Sequence, residues 1–189
     1  MPHSFPALLI LDMQKGMSRL AAGSRNNPQA ETNIAALLSA WRKVGAPVVH
    51  VRHISRTPGS PFWPGQDGVE FQEAFRPLDT EHVVEKNIPD AFIQSGLERW
   101  LRMRDIRELV IVGGSTNCCV ESTARTAGCL GFQTRVVSDA TFAFEKTDYA
   151  GVVRSAAEVQ AMSLANLQGE FAQIVSTDAI LKTLSPVGL

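Results

Sequence analysis

The chain is short of cysteine, of net charge and of long apolar runs, and each shortage excludes something. Its three cysteines are Cys118, Cys119 and Cys129. They are odd in number and lack the spacing of a disulfide scaffold. Adjacent cysteines do not normally bridge, and nothing points to export, so reduced thiols in a cytoplasmic protein are expected. A net charge of -1 offers no footprint for nucleic acid and no attraction to an anionic membrane. The longest apolar runs, such as ALLIL at 7–11, are far too short to span a bilayer. The start, MPHSFPALLILD, has no basic region ahead of a long apolar core, so no signal peptide is expected. There is no internal repeat, low-complexity tract or linker, and 189 residues fit one domain, 1–189, with a substantial core.

What is present alternates between two kinds of segment. FPALLIL at 5–11 is a continuous apolar run ended by Asp12, the pattern of a strand buried on both faces. Residues 29–44 place Ile34, Leu37, Leu38 and Trp41 at helical spacing, with Gly45 as a stop. Further strands are expected at 47–53, 82–86, 108–114, 133–140 and 170–177. Further helices are expected at 92–103, 118–130 and 155–167. Residues 55–79 are rich in Pro and Gly and form a long loop, which inside a compact domain is more often functional than idle. Strands alternating with helices imply βαβ units and an α/β fold around one mostly parallel sheet. Ligands bind such sheets at the carboxyl ends of the strands, near the point where strand order reverses.

Three kinds of reactive residue fall at those strand ends. Asp12 follows the first strand, although a turn or capping aspartate would look the same. Lys86 ends the third, although a solvated lysine beside Glu85 is the ordinary alternative. Cys118 and Cys119 lie just past the fourth strand, in the first turn of a helix. Free cysteines are most often small buried hydrophobes, but a helix N-terminus and a nearby lysine both stabilise a thiolate. Helical phase groups Cys118 with Glu121, Ser122 and Arg125, a polar stripe. It groups Cys119 with Thr123, Thr126 and Leu130, nearer the sheet, and so favours Cys119.

Asp12 after a buried strand, Lys86 before DAF (90–92), and STNCCVESTAR (115–125) together resemble the isochorismatase-like cysteine hydrolases, and the likeness runs along nearly the whole chain. The resemblance implies a three-layer αβα Rossmann-like fold with a mostly parallel sheet of about six strands. It makes Cys119, directly before the valine, the nucleophile, with Asp12 as general base and Lys86 favouring the thiolate. The backbone N–H groups of Ser115 and Cys119 become the oxyanion donors. A non-proline cis peptide maps to Gly114–Ser115. After Gln14 the chain departs from the family, with Lys15-Gly16-Met17 in place of an Asn-Asp-Phe run, which bears on substrate choice more than on the reaction.

The implied substrate is a small-molecule amide or ureido compound, with Gln14, His53 and Trp63 as candidate contacts and Phe62 beside Trp63 in the loop. Isochorismate-type ether hydrolysis and a non-catalytic thiol redox sensor are the alternatives. Nicotinamidases of the superfamily bind a divalent metal through an aspartate and two histidines. Here that region offers only His50 and His53, whose spacing along a strand turns them to opposite faces. No metal and no other cofactor is expected. The family also implies a homodimer or homotetramer.

Overall fold

The computed structural model describes residues 5–20 and 23–184, so the ends of the expected 1–189 domain lie outside the described residues. In chain order these form β1 (Ala7–Leu11), α1 (Ala30–Val44), β2 (Val48–His53), β3 (His82–Lys86), α2 (Leu97–Arg102), β4 (Glu108–Gly114), α3 (Glu121–Cys129) and β5 (Gln133–Phe142). A two-stranded hairpin of β6 (Lys146–Thr147) and β7 (Val153–Arg154) follows, then α4 (Ala156–Leu167), β8 (Gln173–Val175) and α5 (Thr177–Leu184).

Six strands make one sheet in the order β3-β2-β1-β4-β5-β8, every pair parallel. The sheet order reverses at β1, which pairs with β2 on one side and β4 on the other. β1 is buried along its whole length, as its unbroken apolar run predicts. Its side chains alternate between two cores. Leu8 and Ile10 pack with Ile34, Leu37 and Trp41 of α1 and Ile180 of α5. Leu9 and Leu11 pack with Leu97 and Leu101 of α2, Ala124 and Ala127 of α3, and Leu167 of α4. The result is the expected three-layer αβα arrangement, and each buried Leu or Ile contributes roughly 1.5–3 kcal/mol by leaving water.

Several boundaries differ from expectation, each for a local reason. The helix expected over 92–103 is confined to α2. Asp90 accepts from the Phe92 N–H, Ser95 bonds back to the Ala91 carbonyl, and Gly96 takes φ 75°, outside helical space. The helix expected from Cys118 begins instead as a π-helical turn, Thr116–Val120, ahead of α3. The last strand shrinks to β8 because a turn through Gly169 bonds to Ala172, and Thr177 already opens α5. The 55–79 loop holds short 3-10 turns at Asp67–Val69 and Glu73–Phe75 and buries Phe62, Phe71 and Phe75 beneath them.

Candidate active site

Asp12 leaves β1 with φ 53°, a left-handed conformation that aspartate tolerates better than most side chains. Its N–H bonds to the Val51 carbonyl at 2.9 Å, and its carboxylate is 2% exposed. Lys86 comes from the sheet edge, where β3 pairs with β2 so that Lys86 lies opposite His53. Its long side chain crosses the end of β2 to reach the centre. The Lys86 Nζ donates to Asp12 Oδ2 at 2.7 Å and to Cys119 Sγ at 3.3 Å, and stands 3.5 Å from His53 Nδ1. The other carboxylate oxygen, Asp12 Oδ1, is buried with no hydrogen-bond partner.

The third group arrives through the turn after β4. Gly113 has φ 110°, and a Cβ there would lie 2.1 Å from the Leu11 carbonyl oxygen, so only glycine lets β4 run this close to β1. The Gly114–Ser115 peptide is cis, as the resemblance implied. The Ser115 carbonyl then accepts from the N–H groups of Cys118 at 3.1 Å and Val120 at 3.3 Å. That 5→0 closure is the π-helical turn, a device common at functional sites. Ser163 of α4 holds the turn from outside by donating to the Thr116 carbonyl at 3.1 Å.

The electrostatics divide the two thiols. Their sulfurs are 4.0 Å apart, with Cys119 donating to Cys118. Cys118 is drawn down to about 7, first by that contact and then by Lys86 and by Lys146 of the hairpin. Cys119 is pushed well above the ordinary thiol range by the same contact, by burial and by the Asp12 carboxylate, with Lys86 pulling the other way. The resting pair therefore keeps its proton on Cys119. Burial works against the Lys86 ammonium, but Asp12 and then Cys119 outweigh it and hold its pKa above the usual value. Burial and the adjacent Lys86 lower His53, which is neutral at pH 7.

Asp12, Lys86, Cys119 and His53 thus converge. Gln14 has a different place: its amide is committed to the backbone of His53 and to the Val69 carbonyl. In the long loop it is Phe62 that packs edge-on against His53, with ring centroids 5.8 Å apart, while Trp63 stays exposed. Phe62 rather than Trp63 stands beside His53, and neighbouring aromatics in a loop carry no sequence signal for which turns inward. Lys146 was not foreseen near the thiols, because two-residue strands are too short to show alternation.

The histidines do not fit a metal ion. His50 is fully buried with Nε2 on Glu81 at 2.9 Å, whereas His53 turns Nδ1 to Lys86. Among the described residues no group of three or more His, Cys, Asp or Glu side chains is placed to hold an ion. No described helix is long and apolar enough to cross a membrane.

Comparison with known proteins finds relatives along nearly the whole chain. The isochorismatase domain matches residues 6–179. The chain is 39% identical to the uncharacterized isochorismatase family protein YrdC of Bacillus subtilis, over 93% of this chain and 94% of that protein. It is 31% identical to the ureidoacrylate amidohydrolase RutB of Pseudomonas savastanoi, over 96% of this chain and 84% of that one. A crystal structure of an isochorismatase-family protein from Chromobacterium violaceum superposes with a TM-score of 0.93 at 45% identity, covering 97% of this chain and 95% of that chain.

Proposed function

The chain belongs to the isochorismatase family of hydrolases, and on that premise we propose that it cleaves a C–N bond of a small amide or ureido compound through a thioester on Cys119. One observation carries the reading: a single buried ammonium, Lys86, bridges a carboxylate and a thiol, and that carboxylate keeps one oxygen unpartnered. The activity printed for one relative, ureidoacrylate amidohydrolase, supports the bond type.

Cys119 rests as a thiol, so it needs a base. In this reading the free oxygen of Asp12 takes the thiol proton as Cys119 Sγ attacks the substrate carbonyl carbon. A thiolate of high proton affinity is the better nucleophile once formed. The carbonyl electrons move to oxygen, where the N–H groups of Ser115 and Cys119 receive the charge. The Ser115 carbonyl takes its hydrogen bonds from Cys118 and Val120, passing over the Cys119 N–H between them. Losing one such donor typically costs about 3 kcal/mol of transition-state stabilisation. Asp12 returns its proton to the departing amine, leaving a thioester. Asp12 then takes a proton from water, the hydroxyl adds to the thioester carbon, and Cys119 leaves and is reprotonated. Lys86 stays charged and holds the Asp12 carboxylate in place between these transfers. His53 is the substrate contact beside the reacting atoms, Gln14 sets its position, and Phe62 of the long loop packs against it.

The test is ammonia or amine release across a panel of primary amides and ureido acids. Cys119→Ala is expected to abolish turnover of any substrate found, while Cys118→Ser retains most of it. Equal loss from both substitutions, or turnover that survives Cys119→Ala, overturns the assignment.

A further inference from the structure

The turn that carries Cys119 is wider than an α-helix, and something must keep it so. In an α-helical turn the Val120 N–H would bond to the Thr116 carbonyl, four residues back. Here it goes to the Ser115 carbonyl at 3.3 Å, and the Thr116 carbonyl is reached by the Glu121 N–H instead, which it shares with Cys118. Such a departure needs a cause, commonly a side chain inserted into the helical ladder. The Thr116 hydroxyl is not that cause, since it is buried with no hydrogen-bond partner among the described residues.

The inserted group comes from α4. The Ser163 hydroxyl is buried, 3.1 Å from the Thr116 carbonyl oxygen and 2.6 Å from Glu121 Oε2, and its single hydrogen lies between the two acceptors. A carbonyl oxygen has two lone pairs. With the Glu121 N–H on one and Ser163 on the other, none is left for the Val120 N–H. Glu121 is itself fixed: Arg125 Nη2 donates to its other oxygen at 2.9 Å and Asn166 Nδ2 at 3.4 Å. Gln160, one turn earlier on α4, is also buried but donates to the Ser138 carbonyl at 2.7 Å, away from the cysteine turn.

We propose that Ser163 is a positioning residue for the nucleophile: held by Glu121, it keeps Thr116–Val120 in the π form that brings Cys119 Sγ to Lys86. The proposal rests on the reading of Cys119 as nucleophile. Ser163 acts only through the Thr116 carbonyl and Glu121. Without its hydroxyl, that carbonyl is open to the Val120 N–H, and the turn relaxes toward α geometry. An α turn holds fewer residues per turn than a π turn, so the relaxation rotates Cys119 about the helix axis. The contact at stake is the 3.3 Å approach of Lys86 Nζ to Cys119 Sγ, together with the 4.0 Å approach of the two sulfurs. Displacements of about 1 Å at a reacting atom, caused from outside the site, can cost about 100-fold in rate.

Alkylation of Cys118 by iodoacetamide, followed by peptide mass, reads the turn without any substrate. Cys118 owes its acidity to Cys119 and then to Lys86, so it reports whether the turn still presents them. Ser163→Ala is expected to slow that alkylation at pH 7 at least about 5-fold. On any substrate found, it is expected to lower kcat at least about 10-fold with KM within about twofold. Glu121→Ala, which releases Ser163, is expected to move both quantities in the same direction by less. Gln160→Leu is expected to lower thermal stability while leaving both within about twofold, which separates positioning from general support by α4. Circular dichroism reports folding, and if Ser163→Ala does not fold, Glu121→Ala decides alone. Alkylation or kcat unmoved by the Ser163 and Glu121 substitutions, or moved equally by Gln160→Leu, overturns the proposal. Turnover that survives Cys119→Ala overturns the reaction instead.

Discussion

Gln14 grips the peptide groups of His53 on both sides: its Nε2 donates to the His53 carbonyl at 2.9 Å, and its Oε1 accepts from the His53 N–H at 2.8 Å. The second Nε2 hydrogen goes to the Val69 carbonyl at 2.9 Å, and the residue is fully buried. One amide thus ties the end of β1 to the end of β2 and to the long loop. Gln14→Leu removes all three bonds and strands buried backbone groups. It is expected to lower stability by roughly 1–3 kcal/mol in urea unfolding, and to lower kcat/KM by releasing His53 from its place beside Lys86.

The Asp12–Lys86 pair is almost out of water, with Lys86 4% exposed. Removing one member leaves the other charged, buried and unpaired. Lys86→Met alone is expected to cost about 3–5 kcal/mol of stability. Lys86→Met with Asp12→Asn is expected to recover part of that loss while turnover stays abolished. A double variant no more stable than Lys86→Met by chemical denaturation would show that the pair is not coupled.

Thiolate absorbance offers a view of the cysteine pair. The wild-type protein is expected to titrate one thiol near 7, and Cys118→Ser is expected to remove that transition. In Cys119→Ala the hydrogen bond that draws Cys118 down is gone. Its midpoint is therefore expected to rise toward the ordinary value of 9.0. A midpoint unmoved by Cys119→Ala would place the cause with the lysines instead.

Acid should weaken the fold in two steps. Three of the four histidines, His50, His53 and His82, are lowered, chiefly by burial, so the unfolded chain binds protons that the native state refuses. Their contribution is complete above the unfolded value of 6.5 and is lost as pH falls below it. Glu81 adds a second step: burial opposes its charge, but Arg42, the Leu78 N–H and His50 hold it down to about 2. Its contribution is present above 4.5 and fades toward 2. Thermal scans are expected to show Tm falling from pH 7 to pH 5, and less steeply in His50→Gln.

The frame was legible because buried strands announce themselves. ALLIL ending in Asp12, HVVEK ending in Lys86 and ELVIVGG leading to the cysteines each state both a strand and what emerges from it. What stayed hidden depends on pairings that leave no local mark. Nothing near Gln14 says that its partners are 39 and 55 residues away, and a pocket glutamine would read alike. His50 is a packed strand residue, and its Glu81 partner lies 31 residues on, too far to be read locally. The α-helical phase that favoured Cys119 over Cys118 was applied to residues that fold as a π turn, so its agreement with the contact to Lys86 does not come from the helix geometry assumed.

The alternation of β3 carries one more meaning. Glu85 and Lys86 are neighbours on opposite faces of the strand, and in the native register Lys86 faces the buried carboxylate while Glu85 meets Arg52 outside. A slip of one residue along β2 in one direction would set Glu85 opposite His53, turning a carboxylate toward Asp12, and in the other direction would set Lys86 opposite Arg52. Both new encounters are repulsive, one of them in a nearly dry interior. Asp12 and Lys86 therefore favour the native register of this edge strand over either neighbouring one.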